Sequence, residues 1–133
     1  MNKLSRLFLI AFVFYSPFSF SGENSYQCIV LNDAFVEGDG KVSIKPKSLN
    51  IGKKFAIDRK TGVLIGDVFF TFGEPKVIAK GSKDNSFKVI WMKESGGKDG
   101  MFLDYLSIDE YISGTKKPFS YFTGSQLSTG LCE

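Results

Sequence analysis

The chain has 133 residues, of which 43% are hydrophobic and 15% aromatic, and its formal net charge is +3. It contains no histidine, which excludes Ser–His–Asp and Cys–His nucleophile systems and imidazole metal sites. Basic and acidic residues are nearly balanced and mixed along the chain, so the sequence lacks the electrostatic footprint of a nucleic-acid-binding domain.

The first 21 residues have the pattern of a signal peptide. Lys3 and Arg6 form a positive segment, an apolar run covers residues 7–15, and small residues at Ser19 and Ser21 precede a cleavage site. The run is much shorter than the roughly 20 residues of a membrane-spanning helix, although a retained anchor is the alternative. We therefore predict cleavage near Ser21, a periplasmic or secreted bacterial protein without a membrane span, and a single β-domain over residues 22–133.

The two cysteines, Cys28 and Cys132, stand near the two ends of the predicted domain. In an oxidising compartment such a pair predicts a disulfide that joins the first strand to the last. Two free thiols are the alternative, which would require the protein to stay in the cytosol. With both sulfurs in a disulfide, a thiolate nucleophile or a zinc–thiolate site is disfavoured, and we predict no metal and no cofactor.

Short stretches with a period of two, separated by turns rich in Gly, Asn and Asp, follow along the first half of the domain. They cover residues 25–36, 41–45, 53–59, 63–66 and 67–72. In the third stretch, Phe55 and Ile57 are predicted to point inward. The pattern is typical of short antiparallel strands.

The second half continues in the same way. Residues 76–80 are predicted to pair with residues 87–93 across a turn, and strands follow over 101–112, 119–123 and 129–132. Phe87, Val89 and Trp91 share one face of their strand, and the opposite face is also largely apolar, which favours an interior strand. The S-x-x-E motif that begins at Ser107 is typical of a helix start, so residues 107–112 are open between strand and short helix.

About eight short strands without a long amphipathic helix predict an all-β fold. The domain is either a small antiparallel barrel or a sandwich, and the sequence does not separate these two architectures. Closure into a barrel would remove exposed strand edges, a benefit for a secreted chain rich in Phe.

Short motifs offer little support for catalysis. Ser95–Lys98 and Ser113–Lys116 both read S-x-x-K and residues 60–62 read K-T-G, as in penicillin-binding proteins. That chemistry requires the serine on a helix that precedes K-T-G in the sequence, whereas here K-T-G comes first. The neighbouring carboxylates of Asp109 and Glu110 would point to opposite faces of a strand and would not act as an acid–base pair. We therefore predict that the protein is not an enzyme.

Aromatic residues are concentrated in the last third of the chain. One interpretation places them in the core with tyrosines at its rim. The other is a surface patch or barrel mouth that binds a partner. The residues concerned are Phe102, Tyr105, Tyr111, Phe119, Tyr121 and Phe122.

The chain resembles a group of uncharacterised small exported bacterial β-domain proteins with one disulfide. The resemblance is carried by residues 26–28, 58–62 with 65–66, 81–82, 85–89, 117–119 and 129–132. It covers nearly the whole predicted domain and implies a location and a fold but no activity. A weaker likeness is to the periplasmic C-type lysozyme inhibitors, which are exported β-barrels with an early cysteine paired to a late one. Their S-G-x-x-Y loop enters the enzyme cleft, whereas Ser95–Lys98 here lacks the tyrosine.

We expect a non-enzymatic binding module of the bacterial envelope, which contacts another protein or an envelope component through loops on a rigid sheet. A barrel that carries a small apolar molecule and a lysozyme-inhibitor-like protein are the alternatives. We expect a monomer that does not bind nucleic acid. The candidate binding residues are Arg59, Lys60, Thr61, Asp84, Asn85, Ser95, Lys98 and Asp99.

Overall fold

The computed structural model describes residues 24–69, 71, 73–94 and 100–133, so the predicted signal peptide lies outside the described residues. Within these ranges the chain forms nine β-strands and no helix, and therefore no helix that could cross a bilayer. This confirms the all-β prediction. The strands are β1 (Ser25–Val36), β2 (Val42–Ile44), β3 (Lys54–Asp58), β4 (Leu64–Gly66), β5 (Pro75–Ser82), β6 (Asn85–Glu94), β7 (Met101–Ile108), β8 (Lys117–Thr123) and β9 (Gln126–Cys132).

The nine strands belong to one antiparallel sheet. Its order is β4-β3-β1-β9-β8-β7-β6-β5, and the short β2 pairs with β1 beside this path. The first and last long strands are therefore neighbours near the middle of the sheet. The sheet is strongly curled into a half-barrel. Of the two architectures that the sequence left open, a barrel and a sandwich, the fold therefore resembles the barrel.

The concave side of the half-barrel holds the core. Phe87, Val89 and Trp91 of β6 are at most 1% exposed, and Phe55 and Ile57 of β3 are 3% and 0% exposed, so both predicted inward faces are confirmed. Full burial of each such side chain stabilises the fold by about 1.5–3 kcal/mol. The other core residues are Tyr26, Cys28, Val30, Val68, Leu106, Ile108, Phe119, Tyr121 and Cys132.

The turn after β3 packs against the opposite edge of the sheet. Gly62 lies in this turn with a φ of 75°, a backbone conformation that favours glycine. A Cβ built there would lie 2.6 Å from Val89 Cγ2 and 3.2 Å from Pro75 Cβ. The two edges of the half-barrel therefore approach each other through side-chain packing, since the strand order of the described residues includes no ladder between β4 and β5.

The segment after β4 differs from its prediction as a strand over residues 67–72. Residues 67–69 and 71 lie outside any strand, and residues 70 and 72 are not described. Val68 is 8% exposed, and Phe69 stacks on Tyr121 with ring centroids 3.8 Å apart. The apolar character of this segment therefore reflects packing onto the core rather than pairing in the sheet.

The strand predicted over residues 101–112 ends at Ile108. The amide of Asp109 donates to the Pro118 carbonyl at 2.9 Å, and Ile112 donates back to the Asp109 carbonyl at 3.2 Å. Residues 110–112 therefore form a turn, and the S-x-x-E motif does not open a helix.

Candidate functional site

The predicted disulfide joins Cys28 of β1 to Cys132 of β9. The two residues are direct register partners with Cα atoms 4.0 Å apart. Gln27 and Glu133 exchange both backbone hydrogen bonds beside them, at 2.8 and 2.9 Å. The cysteines therefore occupy a non-hydrogen-bonded pair, where facing side chains approach most closely. Both are buried, so the bond is placed for a structural role rather than for thiol exchange with solvent partners.

Arg59, the first candidate binding residue, is engaged inside the fold. Its Nη2 lies 2.5 Å from Glu110 Oε1, and its guanidinium lies 4.7 Å from the centroid of the Tyr26 ring. The Tyr26 hydroxyl donates to the same carboxylate. Burial, followed by this hydrogen bond to Glu110, raises the pKa of Tyr26 well above its usual range. The three side chains hold β1, the turn after β3 and the loop after β7 together.

Lys60 and Thr61 lie in an exposed turn that Asp58 organises. Asp58 Oδ1 accepts hydrogen bonds from the Thr61 amide at 2.6 Å, the Thr61 hydroxyl at 2.8 Å and the Lys60 amide at 2.9 Å. These bonds, with the Thr61 amide as the largest contribution, hold the pKa of the Asp58 carboxyl below its usual range. Lys60 and Thr61 are therefore presented to solvent on a turn with a fixed backbone.

Asp84 lies in the exposed turn between β5 and β6, where its amide donates to Ser82 Oγ at 3.1 Å, and Asn85 is the exposed first residue of β6. A Cβ built on nearby Gly81 would lie 2.5 Å from Glu110 Oε2, so this turn and Arg59 are at the same end of the half-barrel. The remaining candidates, Ser95, Lys98 and Asp99, lie outside the described residues.

Two buried carboxylates were not singled out from the sequence as buried groups. Asp33 is fully buried and accepts hydrogen bonds from Ser48 and Ser128 hydroxyls and from the Asn50 amide, the last at 3.2 Å. These contacts anchor the connection between β2 and β3 to the middle of the sheet. They give Asp33 a structural role.

Asp104 is the other buried carboxylate and is 2% exposed. Its Oδ2 has no hydrogen-bond partner among the described residues. Burial raises the pKa of the neighbouring Tyr121 phenol well above its usual range, and the Asp104 charge and hydrogen bond raise it further. In the part of the chain that the structure describes, no group of three His, Cys, Asp or Glu residues is placed to hold a metal ion.

The aromatic residues of the last third divide between the two faces of the sheet. Phe119 and Tyr121 are 3% and 1% exposed and belong to the core. Tyr105 and Phe122 lie on the outer face, with ring centroids 6.4 Å apart. Phe102 is about half exposed. The core interpretation is therefore confirmed for Phe119 and Tyr121, whereas Phe102 and Phe122 are exposed at the surface.

The outer face of β6, β7 and β8 is largely apolar. Ile90, Tyr105 and Phe122 form one cross-strand row, and Met92 and Leu103 form the next. Met92, Leu103 and Phe122 are 45%, 53% and 45% exposed. We call the following six residues the outer apolar surface: Ile90, Met92, Met101, Leu103, Tyr105 and Phe122.

The sequence contained one signal for this surface. Ile90 and Met92 alternate with Val89 and Trp91, so both faces of β6 are apolar. The interpretation as an interior strand is correct for the sheet, because β6 lies between β5 and β7. Only the inner face of the strand, however, is covered by the core.

A pocket of about 500 Å³ lies on the outer side of the sheet near the disulfide. Ile29, Leu31 and Leu131 supply its apolar lining, and its charged lining consists of two cations, Lys54 and Lys116, and one carboxylate, Glu133. Leu31 is 44% exposed and lies at a β-bulge, where the register of β1 against β9 shifts between Val30 and Asn32.

Comparison of the chain with protein-family models, with curated proteins and with solved structures gave no match. The functional inference therefore depends on the geometry of this chain. Among the described residues, the outer apolar surface is a group of apolar side chains that the core does not cover.

Proposed function

We propose that this protein is an exported, non-enzymatic binding module of the bacterial envelope that contacts a protein partner through the outer apolar surface. The observation that supports the contact is the continuous group of six apolar side chains on the solvent side of β6–β8. Large exposed apolar patches on small proteins usually mark interaction sites. Aromatic and Met side chains are also enriched at protein interfaces.

Export is supported by two features at different positions in the chain. The disulfide between Cys28 and Cys132 is compatible with an oxidising compartment outside the cytoplasm. The positive, apolar and small-residue segments at residues 1–21 are typical of a cleaved leader.

A non-enzymatic role is supported by the structural use of two acidic groups, Glu110 and Asp33. Glu110 is bound by Arg59 and Tyr26, and Asp33 accepts three hydrogen bonds from neighbouring side chains. Such carboxylates hold loops against the sheet rather than lying free in a cleft beside a second catalytic group.

Site-specific photocrosslinking in living cells tests the contact. The full chain is expressed with a photoreactive amino acid in place of Leu103, and separately in place of Lys60 in the turn after β3. We expect Leu103 to yield a covalent protein adduct and Lys60 to yield none. Adducts from Lys60 alone would move the contact to the loops and overturn the assignment to the outer apolar surface.

The pocket beside the disulfide favours a small-molecule carrier as the second candidate function. Its apolar lining and its two lysines, set against the single carboxylate of Glu133, suit an amphiphilic anion such as a fatty acid. Native mass spectrometry of the protein purified from the envelope would detect such a ligand as an added mass. The double variant Lys54→Glu/Lys116→Glu should show no added mass, because it no longer binds the anionic ligand. A protein that carries no added mass, even after incubation with a long-chain fatty acid, would contradict this candidate.

A further inference from the structure

We infer that the partner of the outer apolar surface is a second copy of this chain, packed face to face about a twofold axis. The inference rests on the proposed function, because it names the partner of the same surface. It is argued from the positions of the charges around that surface.

The outward side chains of β6 from Lys88 onward are, in order, Lys88, Ile90, Met92 and Glu94. A cation and an anion therefore lie at equal distances on either side of Trp91, with two apolar residues between them. A twofold axis that crosses β6 at the level of Trp91 reverses the direction of the strand in the second copy. Lys88 of each copy then faces Glu94 of the other, and Ile90 faces Met92.

The edge strand β5 repeats the same arrangement. Pro75 is the register partner of Trp91, so the axis also crosses the chain at Pro75. Glu74 precedes this residue and Lys76 follows it, and both are exposed. The axis that pairs Lys88 with Glu94 therefore also brings Glu74 of each copy opposite Lys76 of the other.

Strand β7 supplies the apolar part of the contact. Asp104 is the register partner of Trp91, so on this strand the axis passes between Leu103 and Tyr105. Leu103 of each copy then faces Tyr105 of the other. Two sheets that stack face to face lie about 10 Å apart, a distance that Lys and Glu side chains can span together. The result is an apolar centre with charges at its rim, as in protein interfaces generally.

The charge positions select a second copy over other occupants. A membrane surface would not be matched by Glu74 and Glu94, which lie beside the apolar residues. The convex shape of the half-barrel restricts the contact to β5–β7. We therefore expect an interface smaller than the usual size of about 800 Å² per partner. Such an interface should give a reversible dimer.

Charge reversal measured by sedimentation velocity tests this inference. The full chain is expressed and the purified protein is examined over a concentration series. We expect a monomer–dimer equilibrium and a dissociation constant at least about tenfold higher for Lys88→Glu or for Glu94→Lys, because each change creates two like-charge contacts per dimer. The double variant Lys88→Glu/Glu94→Lys restores opposite charges and should return to within about threefold of the original constant.

Lys93→Glu is the matched control. It makes the same change of charge on the same strand, but Lys93 alternates with Met92 and Glu94 and so lies on the other face. This variant should leave the dimer unchanged. Equal weakening by Lys93→Glu and Lys88→Glu, or no rescue in the double variant, would overturn the inference.

The two proposals fail in distinguishable ways. A protein that is monomeric at every concentration but crosslinks from Leu103 to a different protein would overturn the second copy and leave the binding module standing. Monomeric protein without any crosslink from Leu103 would overturn both. An adduct with the mass of two chains supports both.

Discussion

Arg59 and Glu110 form an ion pair, with Nη2 and Oε1 2.5 Å apart, that links two parts of the sheet distant in strand order. Arg59 follows β3, which is second from one edge, and Glu110 follows β7, which is third from the other edge. The Tyr26 ring lies under the guanidinium and its hydroxyl donates to the carboxylate. The pair therefore supports the curl of the sheet at a place where the described strands form no ladder.

Replacement Glu110→Gln should reveal what this pair contributes to stability. The Glu110 side chain is only 11% exposed, so the variant leaves Arg59 beside a largely buried amide that cannot neutralise its charge. We expect a loss of about 1–3 kcal/mol in the free energy of unfolding, measured by urea denaturation. Asp39→Asn removes the Lys41–Asp39 pair, whose side chains are 83% and 55% exposed, and should cost much less because solvent screens this pair. Equal losses in the two variants would show that Glu110 is not a structural clamp.

The disulfide should contribute more than any single ion pair. Its cysteines are 104 positions apart, and closure of a loop of that length stabilises a fold by up to about 4.7 kcal/mol in the chain-entropy model. We expect the double variant Cys28→Ala/Cys132→Ala to lose about 2–5 kcal/mol in urea denaturation. A reducing agent should destabilise the original protein by a similar amount and leave the double variant unaffected. A loss below about 1 kcal/mol would mean that β1 and β9 are held together without the bond.

Much of the fold followed from local patterns in the sequence. The period of two located the strands, and β1 has the bounds predicted for it. The cysteines also indicated correctly that the first and last strands meet. Residues 67–69 were assigned wrongly because an apolar run is compatible both with a strand and with an irregular segment packed on the core. Only the ring stack of Phe69 on Tyr121 shows which of the two applies.

The site was harder to predict for a physical reason. Polarity and turn signals indicated that Arg59 lies in a loop, but its partner Glu110 is distant in the sequence and is brought to it by the fold. In the same way, alternation showed that β6 has two apolar faces but not which face the chain covers. Periodicity defines the faces of a strand, whereas burial depends on neighbours that the sequence does not reveal.

Stability should fall in alkaline solution through two buried tyrosines. Burial raises the pKa of both Tyr26 and Tyr121 above the value of about 10 that a tyrosine has in an unfolded chain. The folded protein therefore holds protons that the unfolded chain releases, so the stabilisation is complete below pH about 10 and declines as the pH rises further. We expect the free energy of unfolding to fall above that pH.

The variants Tyr26→Phe and Tyr121→Phe identify the source of this alkaline effect. Each removes one of the two titrating groups and should therefore flatten the pH dependence above pH about 10, as measured by urea denaturation at a series of pH values. Ultraviolet difference spectra of the folded protein should show correspondingly late ionisation of these phenols. A pH profile that is unchanged in both variants would assign the alkaline loss to other groups.

Gly130→Ala should be strongly destabilising, because β9 and β1 approach closely at the bulge. A Cβ built on Gly130 would lie 1.9 Å from the carbonyl oxygen of Ile29 and 2.6 Å from Phe119 Cε1. The first contact is with backbone, so relief requires separation of two strands that the disulfide holds together only two residues away. We expect a loss of about 3 kcal/mol in the free energy of unfolding, measured by urea denaturation.

Gly38→Ala is the control for this substitution, since a Cβ at Gly38 would meet no atom within 4 Å. It should change the free energy of unfolding by no more than about 0.5 kcal/mol. The difference between the two variants isolates the cost of the added methyl group at the β1–β9 contact from the general effect of replacing glycine. If Gly130→Ala is as stable as Gly38→Ala, β1 and β9 must be further apart at the bulge than the structure shows.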